Sequence, residues 1–184
     1  MRDANDAKHR GVAKAANAQL SPIGDAVRAA GAIVLAVPFG AMADTLGAAG
    51  DLNGHIVLDA TNPLRMGASG LELVLGLDRS GGEQVAALAK GASVFKTLNQ
   101  VGYEVMADTT GYAAPPVMFV AGDDAARKPD VLKLVSDLGF RAVDAGGLAV
   151  ARLLEPFALL WIHMALNRKA GRDNAFAYLS RARS

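Results

Sequence analysis

Four short apolar runs constrain this chain more than any other feature: residues 32–37 (AIVLAV), 55–60 (HIVLDA), 93–98 (SVFKTL) and 117–121 (VMFVA). Each is too short for an ordinary helix, is rich in branched side chains, and is closed by Pro, Gly, Asn or Asp. Their apolar positions are consecutive rather than alternating. That is the pattern of strands in a parallel sheet covered by helices on both faces. A fifth, weaker run is 141–143.

Helix-like segments separate the runs. Residues 23–30 precede the first strand and 41–49 follow it. Ser80 and Glu83 have capping-box spacing ahead of residues 85–90, where side chain and backbone can satisfy each other's orphan groups. Asp123 and Asp124 introduce a helix that runs to about Leu138, with Pro129 in the first turn and Gly139 as its stop. Alternation of strand and helix predicts an α/β fold with right-handed crossovers. After Gly146-Gly147 only helical pattern remains: 148–154, then 156–168, then a basic tail with Phe176 and Leu179. The expected organisation is therefore an α/β domain over 1–147 and a helical segment over 148–184, packed on that domain or on a second copy. The glycine-rich stretch 65–82 is the one long loop candidate, either a lid or a plain surface excursion.

Nineteen Lys and Arg against eighteen Asp and Glu leave a net charge of +1, so no bulk field draws this chain to nucleic acid or an anionic membrane. There is no cysteine, which excludes disulfides, thiolate catalysis and Cys-ligated metal. The start, MRDANDAKHR, is polar, and the most apolar run, 156–166, is shorter than the roughly 20 residues that span a bilayer. The expectation is a cytoplasmic protein.

A dinucleotide-binding fold ordinarily opens with a strand, a glycine-rich turn and a helix whose N-terminus holds the pyrophosphate. No G-x-G-x-x-G occurs in these residues, and Gly67–Gly70 gives only G-x-x-G. Two readings are open: one strand–helix–strand unit is missing from an N-terminally truncated chain, or the protein was never a dinucleotide binder of that kind.

Seven segments bear on the choice. Ala36-Val37-Pro38-Phe39, Asp59-Ala60-Thr61-Asn62-Pro63, Lys96-Thr97-Leu98-Asn99-Gln100-Val101-Gly102 and Gly122-Asp123-Asp124 come first. Leu138-Gly139-Phe140, Val143-Asp144-Ala145-Gly146 and Arg152-Leu153-Leu154-Glu155-Pro156 follow in order. Together they resemble the family of NADP oxidoreductases dependent on the deazaflavin coenzyme F420. The resemblance runs from Arg2 to about Phe176. It implies a Rossmann-like parallel sheet with C-terminal helices, NADP(H) as cofactor, coenzyme F420 or another small molecule as redox partner, and a homodimer.

The resemblance also implies a set of cofactor-side residues. Arg2 matches the family's arginine for the NADP 2′-phosphate, a role suited to a guanidinium fork; the other reading is a solvated terminal charge. Val37, Pro38 and Phe39 end a strand where ligands of open α/β sheets bind, though a structural turn explains them too. Asn62 and Pro63 resemble nicotinamide-side residues, and Asn is also a common turn former. Asn99 and Gln100 line the approach of the second substrate by resemblance, or else cap residues 101–106. His163 reads as a core or interface histidine, and Glu155 before Pro156 as a helix-start residue facing its own helix dipole. No catalytic residue and no metal ligand stands out, as fits hydride exchange carried out by cofactors. The alternative is an inactive Rossmann-like module that dimerises or binds a small ligand.

Overall fold

The structure, a computed structural model, describes residues 7–68 and 70–181. Its strands form where the apolar runs predict them: β1 (Ala32–Leu35), β2 (Ile56–Asp59), β5 (Ser93–Lys96), β6 (Val117–Gly122) and β7 (Arg141–Gly146). They make one sheet in the order β1-β2-β5-β6-β7. β2 is buried at every position, and β5 and β6 nearly so, as two-sided coverage requires. The weak run at 141–143 is a full six-residue strand. Its half-buried side chains show why its apolar signal is faint.

Helices cover both faces. α2 (Ile23–Ala29), α3 (Met42–Ala49) and α4 (Gly81–Leu88) lie on one side, and α6 (Lys128–Asp137) on the other. Pleating splits the core accordingly. Val57, Val94 and Leu35 pack with Val27, Leu46 and Val85. Ile56, Leu58 and Phe95 pack with Met118, Val131 and Val135 on the opposite face. A short α1 (Ala7–Ala15) opens the described chain.

Two strands depart from the all-parallel expectation: β6 runs antiparallel to β5, and β7, parallel to β6, shares its direction, while β1, β2 and β5 are parallel to one another. The reason lies in the connection. α5 (Tyr103–Ala107) is only five residues long, so the chain never crosses back over the sheet. β6 starts at the edge where β5 ends, and antiparallel pairing follows.

Two further differences matter for the site. The stretch read as a loop contains a hairpin, β3 (Leu64–Gly67) with β4 (Gly70–Leu73). The terminal helices are one continuous run, made of a 3-10 turn (Leu148–Val150), α7 (Ala151–Ile162) and a π turn (His163–Asn167). That run, Leu148–Asn167, has 20 residues and mean hydropathy 1.4, so by length and composition alone it could cross a membrane. Proline at 156 predicts a break between two helices, yet Pro156 lies inside α7. Ala151, Leu154, Glu155, Ala158 and Trp161 are buried within the fold.

Residues 170–181 are not helical. They form an irregular strap whose carbonyls are claimed by the body: Asn174 O accepts from Trp161 Nε1 at 2.8 Å, and Phe176 O accepts from Val117 N at 2.9 Å. Phe176 stacks on Phe157 at 4.8 Å, and Phe157 meets Phe119 edge-on at 5.9 Å. These aromatics close the start of β6 from within the same chain.

Candidate functional site

The parallel strands β1, β2 and β5 end along one side of the sheet, and there the polar chemistry is concentrated. Asp59 and Lys96 are register partners on adjacent strands, so the pleat puts their side chains on the same face. Lys96 Nζ donates to Asp59 Oδ2 at 2.9 Å, to Thr61 O at 2.6 Å, and lies 3.0 Å from Glu155 Oε1 on α7. All three charged side chains are buried. Glu155 accepts from Gly81 N and Gly82 N, both at 3.0 Å. Asp59 accepts from Thr61 N and Oγ1 at 2.9 and 2.7 Å. Two carboxylates thus face one ammonium, and the N-terminal amides of α4 offset the surplus negative charge. Close approach needs the glycine pair: a Cβ on Gly82 would come within 3.1 Å of Ala151 Cβ, and one on Gly81 within 2.8 Å of the Phe39 ring.

The α4 start forms the capping box read from the sequence, but begins at Gly81 rather than near Val85. Ser80 Oγ accepts from Glu83 N at 3.1 Å, and the Glu83 carboxylate accepts from Ser80 Oγ at 2.8 Å. Arg152 of α7 adds bonds to Glu83 at 2.5 and 2.9 Å. The guanidinium bonds chiefly, and then Ser80, hold the Glu83 carboxyl down at about 2. A carboxyl depressed in the folded state contributes stability that is complete above its ordinary value and fades as pH falls toward the depressed one. Wild type should therefore lose stability between about pH 4.5 and 2. In Arg152→Ala that part of the urea-midpoint profile should flatten, by no more than about 1 kcal/mol, because the pair is partly exposed.

A second network ties the strand ends together through amides. Leu98, directly after β5, has φ 58 although it is not glycine. A residue held in that region costs on the order of 1–3 kcal/mol and persists only where its surroundings enforce it. The turn delivers Asn99, whose Nδ2 donates to Asn62 Oδ1 at 3.0 Å and to Leu154 O at 3.4 Å. Asn62 Nδ2 donates back to Asn99 O at 2.9 Å. Gln100 Nε2 donates to Asn99 Oδ1 and to Phe119 O, both at 3.0 Å, while Phe119 N donates to Gln100 Oε1 at 2.9 Å. Gln100 thereby extends the short β5–β6 ladder with its side chain.

Of the residues singled out in the sequence, Asn62, Pro63, Asn99 and Gln100 come together at the ends of β2 and β5. Asn99 and Gln100 are buried and neither caps α5, whose N-cap has no side-chain bond. Pro63 is buried and its carbonyl accepts from Val74 N at 2.8 Å, closing the base of the β3–β4 hairpin. Val37, Pro38 and Phe39 lie at the neighbouring end of β1. Pro38 is exposed, and with Val37 it borders a hollow of about 530 Å³ that also includes Ala41 and Asp44. Arg2 lies outside the described residues. Glu155 needs correction: it sits inside α7, and the dipole it meets is that of α4.

The buried Asp59–Lys96–Glu155 set was missed as a site. The available signal was charge inside apolar runs: lysine within SVFKTL, aspartate within HIVLDA, glutamate within a helix of leucines and alanines. Such residues are seldom buried unless paired. Among the described residues, no group of three or more His, Asp or Glu is gathered as for a metal ion.

Comparison with known proteins bears on the family and the fold. The family described as NADP oxidoreductase, coenzyme F420-dependent, matches residues 2–63. An F420-dependent NADP reductase of Methanothermobacter marburgensis is 30% identical over 158 residues, covering 79% of this chain and 67% of that protein. Among solved structures, a putative F420-dependent NADP reductase from Arthrobacter sp. FB24 superimposes with a TM-score of 0.83 at 28% identity, over 91% of this chain and 78% of its own. A hypothetical protein from Sinorhizobium meliloti gives 0.70 at 30% identity, over 81% and 73%.

Proposed function

This chain belongs to the family of coenzyme F420-dependent NADP oxidoreductases, and from that premise we propose that it takes part in direct hydride exchange between NADP(H) and a deazaflavin or similarly flat redox partner. The observation that carries the reading is the gathering of three strand ends, with Asn62 half-buried, bonded to Asn99 and just ahead of the β3–β4 hairpin. When bound, the nicotinamide supplies the transferable hydride, and the protein supplies orientation and a dry cleft. The chain's own contributions are distinct. Pro38, which has no N–H, holds a rigid turn at the end of β1. Asn62 keeps one Nδ2 hydrogen beyond the one given to Asn99 O, and a carboxamide oxygen is a fitting acceptor for it. The ionic set fixes α7 against the strand ends. No side chain is assigned a proton transfer.

The same reading makes the protein a cytoplasmic homodimer that handles a small redox substrate. Leu153, Leu160 and Met164 are exposed along one side of the α7 run, and Met66 and Leu71 on the nearby hairpin add to that apolar surface. Exposed patches of this kind commonly mark interfaces. Leu160→Glu should shift the protein from dimer to monomer in light scattering, and an unchanged mass would move the interface elsewhere. The test of the activity is hydride transfer from NADPH to oxidised deazaflavin, or from reduced deazaflavin to NADP+, followed by absorbance. A chain in which a glycine-rich βαβ unit precedes these residues should catalyse it. Failure of that chain to bind either partner would overturn the reading in favour of an inactive dimerising module.

A further inference from the structure

We infer that Gln100, acting with the backbone carbonyls of Leu154 and Asn99, is a positioning residue that holds the hydrogen-bond polarity of Asn62, so that Asn62 presents its free N–H to whatever lies at the ends of β1 and β2. The inference rests on the nicotinamide-side reading of Asn62 given above and extends it to residues that touch no ligand.

Side-chain amides can be turned end for end, and only their partners fix which end is which. Here the chain of bonds starts from groups with no such freedom. The Phe119 N–H can only donate and the Phe119 carbonyl can only accept. Gln100 bonds both, Oε1 to the N–H at 2.9 Å and Nε2 to the carbonyl at 3.0 Å. Its orientation is therefore set by β6 backbone. The same Nε2 donates to Asn99 at 3.0 Å, so that atom of Asn99 must be Oδ1. Asn99 Nδ2 then faces Asn62 and the carbonyl of Leu154, a second backbone acceptor that enforces the same choice. Asn62 must in turn offer Oδ1 to Asn99 and use one Nδ2 hydrogen on Asn99 O. The oxygen of Asn62 is thus engaged, and a single N–H is left over on a half-buried side chain.

Several features make the relay stiff. Asn99 and Gln100 are 5% and 1% exposed, so no solvent competes for their bonds. Leu98 is held with φ 58, which aims Asn99 across at β2. The ionic set binds Glu155, next to Leu154, to Lys96 just ahead of the same turn. A ligand matched to this arrangement carries a hydrogen-bond acceptor, such as a carboxamide oxygen, against Asn62.

Gln100→Glu tests the relay because it changes polarity and barely changes shape. When protonated, the new carboxyl can donate as Nε2 does and the pattern survives. When ionised, it has only acceptors to offer Asn99 and the Phe119 carbonyl, so Asn99 should turn over to donate to the carboxylate, giving up its long 3.4 Å bond to Leu154 O and its bond to Asn62 Oδ1, and Asn62 should follow. Burial raises the ionisation of such a carboxyl into the range near neutrality. The probe is reduced nicotinamide mononucleotide, which needs no pyrophosphate cradle, titrated against residues 1–184 with side-chain amide NMR of Asn62 and Asn99. In wild type the probe should shift the Asn62 amide, with affinity flat between pH 5 and 8. In Gln100→Glu affinity should be near wild type at pH 5 and at least tenfold weaker at pH 8, with the Asn99 and Asn62 amide resonances moving together over that range. Gln100→Met, of similar volume and uncharged, should lose a few-fold in affinity with no added pH dependence. It keeps the test open should the glutamate variant fold poorly. If the amide resonances of Gln100→Glu do not respond to pH, or if Gln100→Met binds like wild type, the relay is wrong. A wild type that folds with these amide bonds intact yet shows no probe shift at Asn62 instead overturns the nicotinamide-side reading.

Discussion

Lys96→Met should lower the stability of the fold by about 3–5 kcal/mol, the usual range for breaking a buried ion pair by removing one partner. Methionine replaces most of the lysine's volume, so little of the loss would come from a cavity. What remains after the substitution is the cause. Asp59 and Glu155, 0% and 2% exposed, would keep their bonds to Thr61, Gly81 and Gly82 but lose the ammonium that lies within 3.0 Å of both. Thr61 O would also lose its 2.6 Å donor. The interaction is not additive, because the three side chains act as a unit. Lys96→Met combined with Asp59→Asn and Glu155→Gln should recover a large part of the loss, since neutral amides can share the site without a buried charge. Urea unfolding of the single and triple variants decides it. A single variant within about 1 kcal/mol of wild type would mean that the ion set is not the clamp between α7 and the strand ends.

The sequence makes the layers of this fold legible because strands covered on both sides need unbroken apolar runs. Residues 55–60 and 93–98 could hardly be anything else. It hides the direction of β6, because strand direction depends on whether the connection crosses the sheet, and a five-residue α5 leaves no periodic trace. It hides the β3–β4 hairpin for a different reason. Its Arg65–Glu72 pair and exposed Met66 give none of the alternation by which a half-buried strand is recognised. At the site, the turn residues Asn62, Pro63 and Asn99 are readable as strand ends. What holds them is not, because Asn99 bonds Leu154 and its neighbour Gln100 bonds Phe119, both remote in the chain. Glu155 illustrates the limit. Its neighbour Pro156 suggests a helix start, and only the packing of α7 on α4 reveals that it serves the other helix.

Residues 1–184 by themselves should bind NADPH several orders of magnitude more weakly than a chain in which a strand, a glycine-rich turn and a helix precede them. No G-x-G-x-x-G occurs in the 184 residues, and the helix amides most nearly placed for an anion, those of Gly81 and Gly82, are already taken by Glu155. Losing three or so charge-assisted bonds to phosphate, at about 1.5–3 kcal/mol each, removes at least a thousandfold in affinity at about 1.4 kcal/mol per decade. Among the described residues β1 is an edge strand of the sheet, and such a strand could pair with it. β1 pairs with β2 on one side, and its bonds there use the carbonyls of Gly31 and Leu35. Strand geometry then turns the backbone groups of Ala32, Val34 and Ala36 toward the open edge. Beside that edge runs an apolar groove of about 300 Å³, lined by Ile23, Val27, Ile33 and Leu46 among others. Val34, 53% exposed, would be covered as well. Adding the unit should therefore raise the melting temperature along with NADPH affinity, since an open apolar edge otherwise invites pairing with other chains. In the longer chain Arg2→Ala should weaken NADPH and leave NADH almost unchanged, if the guanidinium meets the 2′-phosphate; equal losses would give Arg2 another role. Calorimetry on the two lengths settles the main point. Low-micromolar NADPH binding by residues 1–184 would show that the cofactor is held without a glycine-rich turn, and that the open edge of β1 has some other use.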